Sequence, residues 1–147
     1  MGIDKHALRG SDLHQIGEVA DRTGLSLRTI RYYEEMGLVV PSGRTAGGFR
    51  LYTDEDIERL ELVKRLKVLD LTLESTSEML AARDLLAAGA SRDDSAAAID
   101  VLASFTDTAE ERLDKLAGRL EAAHSAVKDL RSEVRRRRRT VGSTRPK

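Results

Sequence analysis

Between positions 26 and 52 the chain gathers side chains suited to holding a polyanion: Ser26, Arg28, Thr29, Arg31 and Tyr32, then Arg44, Arg50 and Tyr52. A guanidinium fork grips a phosphate through two parallel hydrogen bonds, or reads O6 and N7 of guanine in a major groove. Hydroxyl groups add neutral donors to phosphate oxygens. Arg31 has a competing role, because Glu34 and Glu35 stand three and four residues on, where a helix offers it a partner. Tyr32 and Tyr33 lie about 100° apart on a helix, so Tyr32 is expected to reach a phosphate while Tyr33 packs inward; the reverse is the alternative. Arg44 and Arg50 flank glycines that let a backbone approach closely. Phe49 and Tyr52 have a plainer alternative as the core of a small hairpin.

Other chemistries are poorly supplied. The chain has no Cys and no Trp, and aromatics make up 3% of it, so disulfides, thiolate metal sites and a large aromatic-lined catalytic pocket are not expected. His6, His14 and His124 show no metal-ligand spacing and read as structural or surface residues. No Ser-His-Asp set, phosphate loop or convergent carboxylate pair stands out, so neither an enzyme nor a cofactor is expected. No run of about 18 apolar residues occurs, and the start lacks the apolar centre of a signal peptide. A soluble, cytoplasmic protein with no membrane partner is the expectation.

The 25 basic and 25 acidic residues cancel, but not evenly along the chain. Residues 1–53 hold 7 basic and 6 acidic, residues 54–134 hold 11 and 19, and residues 135–147 hold 7 and none. Local positive potential therefore depends on whether the arginines of the first segment share a face. The run of arginines at 135–139 reads best as cations complementing a helix C-terminus and fraying into a solvated tail. Salt-dependent affinity for nucleic acid is its alternative.

The elements that must position these groups follow from spacing. Residues 14–24 place Ile16, Val19 and Ala20 at helical intervals and close on Gly24, which predicts a short first helix. Ser26 is a good N-cap for a second, with Leu27, Ile30 and Tyr33 inward and Gly37 ending it. Two short helices across a tight turn make a helix-turn-helix. Pro41, Gly43, Gly47 and Gly48 interrupt helix, and residues 49–52 alternate like a strand, predicting a β-hairpin wing. Thr53 caps a third helix with Ile57, Leu60, Val63, Leu66 and Leu69 inward. After a brief break at 71–73 a fourth runs to about 88. Beyond a hinge at 89–94, Ile99, Leu102, Thr106, Ala109, Leu113, Leu116, Leu120, Ala123, Val127, Leu130 and Val134 step by three and four, the period of a coiled coil. Such a helix over residues 95–137, roughly 60 Å long, with one narrow apolar stripe, calls for an outside partner, most simply a second copy. A break near 105–108 is left open by Thr106 in the stripe.

The helix-turn-helix, the Thr29-Ile30-Arg31-Tyr32-Tyr33-Glu34 block, Gly37-Leu38, Pro41, the wing Gly48-Phe49-Arg50-Leu51-Tyr52 and the acidic helix start after Thr53 together resemble the head of the MerR family of bacterial transcription regulators. The resemblance covers about residues 14–85. It implies a mainly α fold: a winged helix-turn-helix head, a helix pair, and a long antiparallel coiled-coil helix that makes a homodimer. The implied function is sequence-specific binding and distortion of a pseudo-palindromic promoter, with RNA polymerase as a further partner, to activate or repress transcription. Alternatives are a DNA-architectural or excisionase-like protein that bends DNA without regulating it, and a helical interaction module. The expected division is a tail at 1–13, a head at 14–88, the hinge, the dimer helix, and a flexible basic tail at 138–147. Metal and redox sensors of that family place cysteines around the dimer helix, and drug-sensing relatives append a ligand domain. Neither feature is found here, so no effector is assigned.

Overall fold

The computed structural model of the protein describes residues 12–143. Residues 1–11, which include His6 and most of the expected tail, and residues 144–147 lie outside the described residues. In chain order the elements are β1 (His14–Gln15), α1 (Ile16–Thr23), α2 (Leu27–Glu35), β2 (Gly43–Arg44), β3 (Arg50–Tyr52), α3 (Asp54–Leu66), a 3₁₀ turn (Lys67–Leu69), α4 (Leu73–Ala87) and α5 (Arg92–Ser143).

Local chemistry sets most of these boundaries. Gly24 takes the left-handed conformation at φ 68° and returns its N–H to Ala20, the glycine stop expected of α1. The Ser26 hydroxyl accepts from the Thr29 N–H at 3.0 Å and starts α2. Thr53 and Asp56 cap α3 reciprocally, the Thr53 hydroxyl accepting from the Asp56 N–H and the Asp56 carboxylate from the Thr53 N–H. This is a capping box built with the shorter aspartate. The Thr72 hydroxyl caps α4 in one direction only, accepting from the Ser75 N–H at 3.1 Å.

One expectation is corrected at the amino end. His14 and Gln15 are extended rather than helical, and they form an edge strand in a sheet of order β1-β3-β2, with His14 opposite Tyr52 and Arg44 opposite Arg50. The wing hairpin thus gains a third strand. A two-stranded ribbon is marginal in water, and the added strand satisfies backbone groups along the other edge of β3.

The chain divides into two compact units, one running to Phe105 and the other from Thr106. In the first unit Val19, Ile30, Leu38, Tyr52, Leu60 and Leu80 are buried at the centre of one cluster. Arg59 bonds the Leu38 carbonyl and pairs with Asp84 at 2.6 Å, tying α3 to α4 and to the exit of α2. Lys64 reaches the Thr23 carbonyl at the end of α1. The start of α5 belongs to this unit: Ala98 is buried, and Leu102 and Phe105 pack against the cluster. Leu102, expected in the pairing stripe, is therefore already partly covered by the head.

Helix α5 begins at Arg92, earlier than expected, because Ser91 accepts from the Asp94 N–H and supplies the cap. It continues without a break through residues 105–108 and reaches Ser143, so residues 138–143 are helical rather than a loose tail. In the second unit the stripe is uncovered: Leu113, Leu120 and Leu130 are 54%, 57% and 61% exposed. No described helix is long and apolar enough to cross a membrane.

Candidate nucleic-acid interface

Helix α2 is held from below by Ile30 and Tyr33, both buried. That orientation turns Arg28, Arg31 and Tyr32 outward, as the spacing predicts. Tyr32 is 47% exposed and meets Tyr33 at a tilt, ring centroids 5.9 Å apart. Leu27 is a correction: expected inward, it is 42% exposed, because the first residue of α2 lies beyond the edge of the core. The Ser26 and Thr29 hydroxyls are 2.8 Å apart and bonded to each other, so both hold the helix start before either meets a ligand.

Among the described residues neither Arg28 nor Arg31 has an ion-pair partner within 4.0 Å. The Glu34 carboxylate, one of the two partners that spacing offers to Arg31, turns to the wing instead. It pairs with Arg50 Nε at 2.7 Å and accepts from the Tyr52 hydroxyl at 3.1 Å. Arg28 and Arg31 are thus exposed cations on the outer face of α2.

Glu34 acts as a clasp between α2 and β3. Its hydrogen bond and its charge hold the Arg50 guanidinium above its ordinary value. Burial, then the Glu34 charge and hydrogen bond, push the Tyr52 phenol up from 10.0 to about 12. Tyr52 is fully buried and so offers no surface to a nucleic acid; the expected contact is corrected to a core role. Arg50 keeps its place beside the wing, with Nε committed to Glu34.

A pH dependence follows from Tyr52. Its folded value lies above its unfolded one, so its contribution to stability is fully present below pH 10 and disappears as pH rises to about 12. Thermal unfolding across that window is expected to show a loss on the order of 1–2 kcal/mol. Tyr52→Phe should flatten that slope, and an unchanged slope would place its origin elsewhere.

The wing itself is fixed by Arg44, whose Nη1 donates to the Gly48 carbonyl at 3.0 Å, and by the Thr45 N–H to Phe49 carbonyl bond at 2.8 Å. Gly48 takes φ 83°, a turn geometry that a side chain would strain. Phe49 is 66% exposed at the hairpin's end rather than in its core. Strands this short have room for one inward aromatic, and Tyr52 occupies it.

Between α2 and the corner joining α3 to α4 lies a groove of about 410 Å³, bordered by Arg28, Thr29, Tyr32, Lys67 and Leu73. Lys67 opens the 3₁₀ turn and is exposed. Sequence reasoning missed it, because a lysine ending a helix reads as a dipole partner; only the fold brings it to the same groove as Arg28.

His14 has a structural role. Its ring, buried under the sheet edge, meets Glu18 at 2.7 Å and Asp54 at 2.9 Å, while Arg22 also reaches Asp54 at 2.9 Å. Arg22 first, then His14, hold the Asp54 carboxyl below the usual carboxylate value. Among the described residues no group of three His, Cys, Asp or Glu is placed to hold a metal ion.

Comparison with known proteins bears on this geometry. Residues 15–83 match the family described as MerR HTH family regulatory protein. The mercuric resistance operon regulatory protein of Bacillus cereus is 40% identical over 70 residues, 48% of this chain and 53% of that one. The HTH-type transcriptional regulator ZntR of Escherichia coli K12 is 41% identical over 71 residues, 48% of this chain and 50% of that one. The chain thus matches about half the length of these relatives. In fold it is similar to HiNmlR, a MerR family regulator lacking the sensor domain and solved bound to promoter DNA. The TM-score is 0.63 at 20% identity, covering 82% of this chain and 92% of that one.

Proposed function

Because the chain carries a MerR family helix-turn-helix head across residues 15–83, we propose that it is a dimeric, sequence-specific DNA-binding regulator of transcription. The observation that carries this reading is the outer face of α2, where Arg28 and Arg31 stand exposed with no ion-pair partner among the described residues while Glu34 is held away by Arg50 and Tyr52. A short helix that presents exposed cations, with the Glu34 carboxylate drawn off to the wing, is suited to enter a major groove.

In this reading Arg31 and Arg28 meet base edges and phosphates, Tyr32 donates to a phosphate, and Ser26 and Thr29 set the start of the helix against the backbone. Arg44 and the terminal nitrogens of Arg50 hold a flanking phosphate from the wing. Lys67 holds another from the far side of the groove. Anchors on both sides of α2 suit a protein that deforms its site, since bending a short duplex costs about 1–6 kcal/mol and must be offset by added contacts. The partner in the dimer is a second copy joined through α5, and the site is a pseudo-palindromic promoter also engaged by RNA polymerase. Selection of bound sites from random duplex DNA tests the reading; an inverted repeat is the expected product.

A further inference from the structure

The arginines at 135–139 have no role in the helix-turn-helix head, and α5 does not place them at its end. Cations complement a helix dipole within the last turn. Helix α5 continues to Ser143, its last turn carries no basic residue, and the whole run stands before that turn. All five residues are exposed, as is Arg131 one turn earlier. At about 100° per residue, Arg131, Arg135, Arg138 and Arg139 fall within about 100° of arc and form one face about 12 Å long.

The charge on this face is barely neutralised by the chain itself. Residues 106–134 mix 5 basic with 7 acidic residues, whereas residues 135–147 hold 7 basic and none acidic. Among the described residues the one carboxylate within ion-pair reach of the run is that of Glu133, which meets Arg137 at 3.4 Å. Arg135 donates instead to the Ser132 hydroxyl at 3.1 Å. The pairs Arg131 with Arg135, Arg135 with Arg139 and Arg136 with Arg139 stand three or four residues apart, where like charges repel and weaken a helix. A ligand that carries several negative charges at close intervals relieves that repulsion.

We propose that this face of α5 is a second, sequence-independent site for the phosphate backbone of duplex DNA, in addition to α2 and the wing. A duplex presents one negative charge per about 1.7 Å of its axis, so a face of this length meets several phosphates at once. Every cation in residues 131–143 is an arginine, whose fork takes two phosphate oxygens; a merely solvated end is served equally well by lysine. A lipid surface fits less well. A helix lying on lipid needs large apolar side chains such as Trp, Phe or Leu beside its cations, and residues 131–143 offer only Val134 and Val141. The choice of duplex DNA over other polyanions rests on the reading of the head given above, which brings the chain to DNA. Such a site adds affinity for any sequence and keeps the protein on DNA while the head searches.

Binding of the full-length protein to a random-sequence duplex, followed by fluorescence anisotropy over a range of salt, tests the site. Arg135→Gln, Arg136→Gln, Arg138→Gln and Arg139→Gln together are expected to weaken that binding on the order of tenfold, and to make its salt dependence shallower by about one for each phosphate no longer neutralised. Lysine at the same four positions should keep most of the salt dependence, which separates lost charge from lost structure. In the native chain, labelling by phenylglyoxal, read by mass spectrometry, should show these arginines protected by the duplex. Unchanged affinity and slope in the glutamine variant, or equal labelling with and without duplex, would overturn the proposal. So would protection by vesicles of anionic phospholipid but not by duplex. In each of those cases the reading of α2 survives, because it is judged on the selected site with Arg28→Ala and Arg31→Ala. A chain that holds random duplex through these arginines yet selects no site would sustain this proposal and overturn that reading.

Discussion

Leu116→Asp and Leu120→Asp, introduced together, are expected to leave the protein monomeric. Dimer symmetry repeats each substitution, so four carboxylates would enter the stripe. An unpaired charge taken out of water costs several kcal/mol, enough to remove a coiled coil of this length. The head should survive, because its cluster is completed by Leu80, with Leu102 and Phe105 packed against it, before the second unit begins. Circular dichroism should therefore lose helix in proportion to the part of α5 beyond Thr106, since a lone helix with an exposed stripe is marginal. Affinity for a two-fold site should fall with it, because two linked heads bind far more tightly than one. Sedimentation equilibrium decides the matter, and an unchanged mass would contradict the assignment of α5.

The second large effect is expected at the face of α2. Arg28→Ala with Arg31→Ala should lower affinity for the selected site by about 1–3 kcal/mol for each base-reading arginine in each half-site. The salt dependence should become shallower by about one for each phosphate that is no longer neutralised. Melting temperature should hardly move, because both side chains are exposed and have no ion-pair partner among the described residues. Arg50→Ala is a different experiment: it also releases Glu34, a side chain that Tyr52 relies on, so affinity and stability would fall together. Binding that is unchanged in the Arg28, Arg31 double variant would remove α2 from the interface.

Much of this fold is legible in the sequence because its punctuation is local. Ser26, Thr53 and Thr72 cap helices within three residues of themselves, and Gly24 and Gly37 end helices by their own backbone conformation. The outward turn of Arg28, Arg31 and Tyr32 follows from helical period once Ile30 and Tyr33 are taken as the inner face. What was not legible depends on residues far apart in the chain. His14 and Gln15 become a strand only because β3 offers an open edge. Glu34 leaves Arg31 for Arg50 and Tyr52, 16 and 18 residues on. Lys67 joins the groove only when the turn after α3 comes back beside α2. Leu102 fits the heptad pattern as well as Leu116 does, and only the packing of the head separates them.

The site illustrates how a balanced chain makes a positive surface. Net charge is zero, yet the Glu34 carboxylate on α2 is neutralised from the wing, and other acids of the head are engaged in caps and pairs such as Asp56 with Thr53 and Asp54 with Arg22. Local arrangement, rather than total charge, sets the potential of this face.

The most direct test of a dimeric reader of DNA is selection by the full-length protein from a pool of random duplexes. The enriched sites are expected to contain two inverted half-sites at one fixed spacing, with enrichment abolished in the Arg28→Ala, Arg31→Ala variant. A pool that stays random, or one enriched only in a single unpaired half-site, would contradict the account.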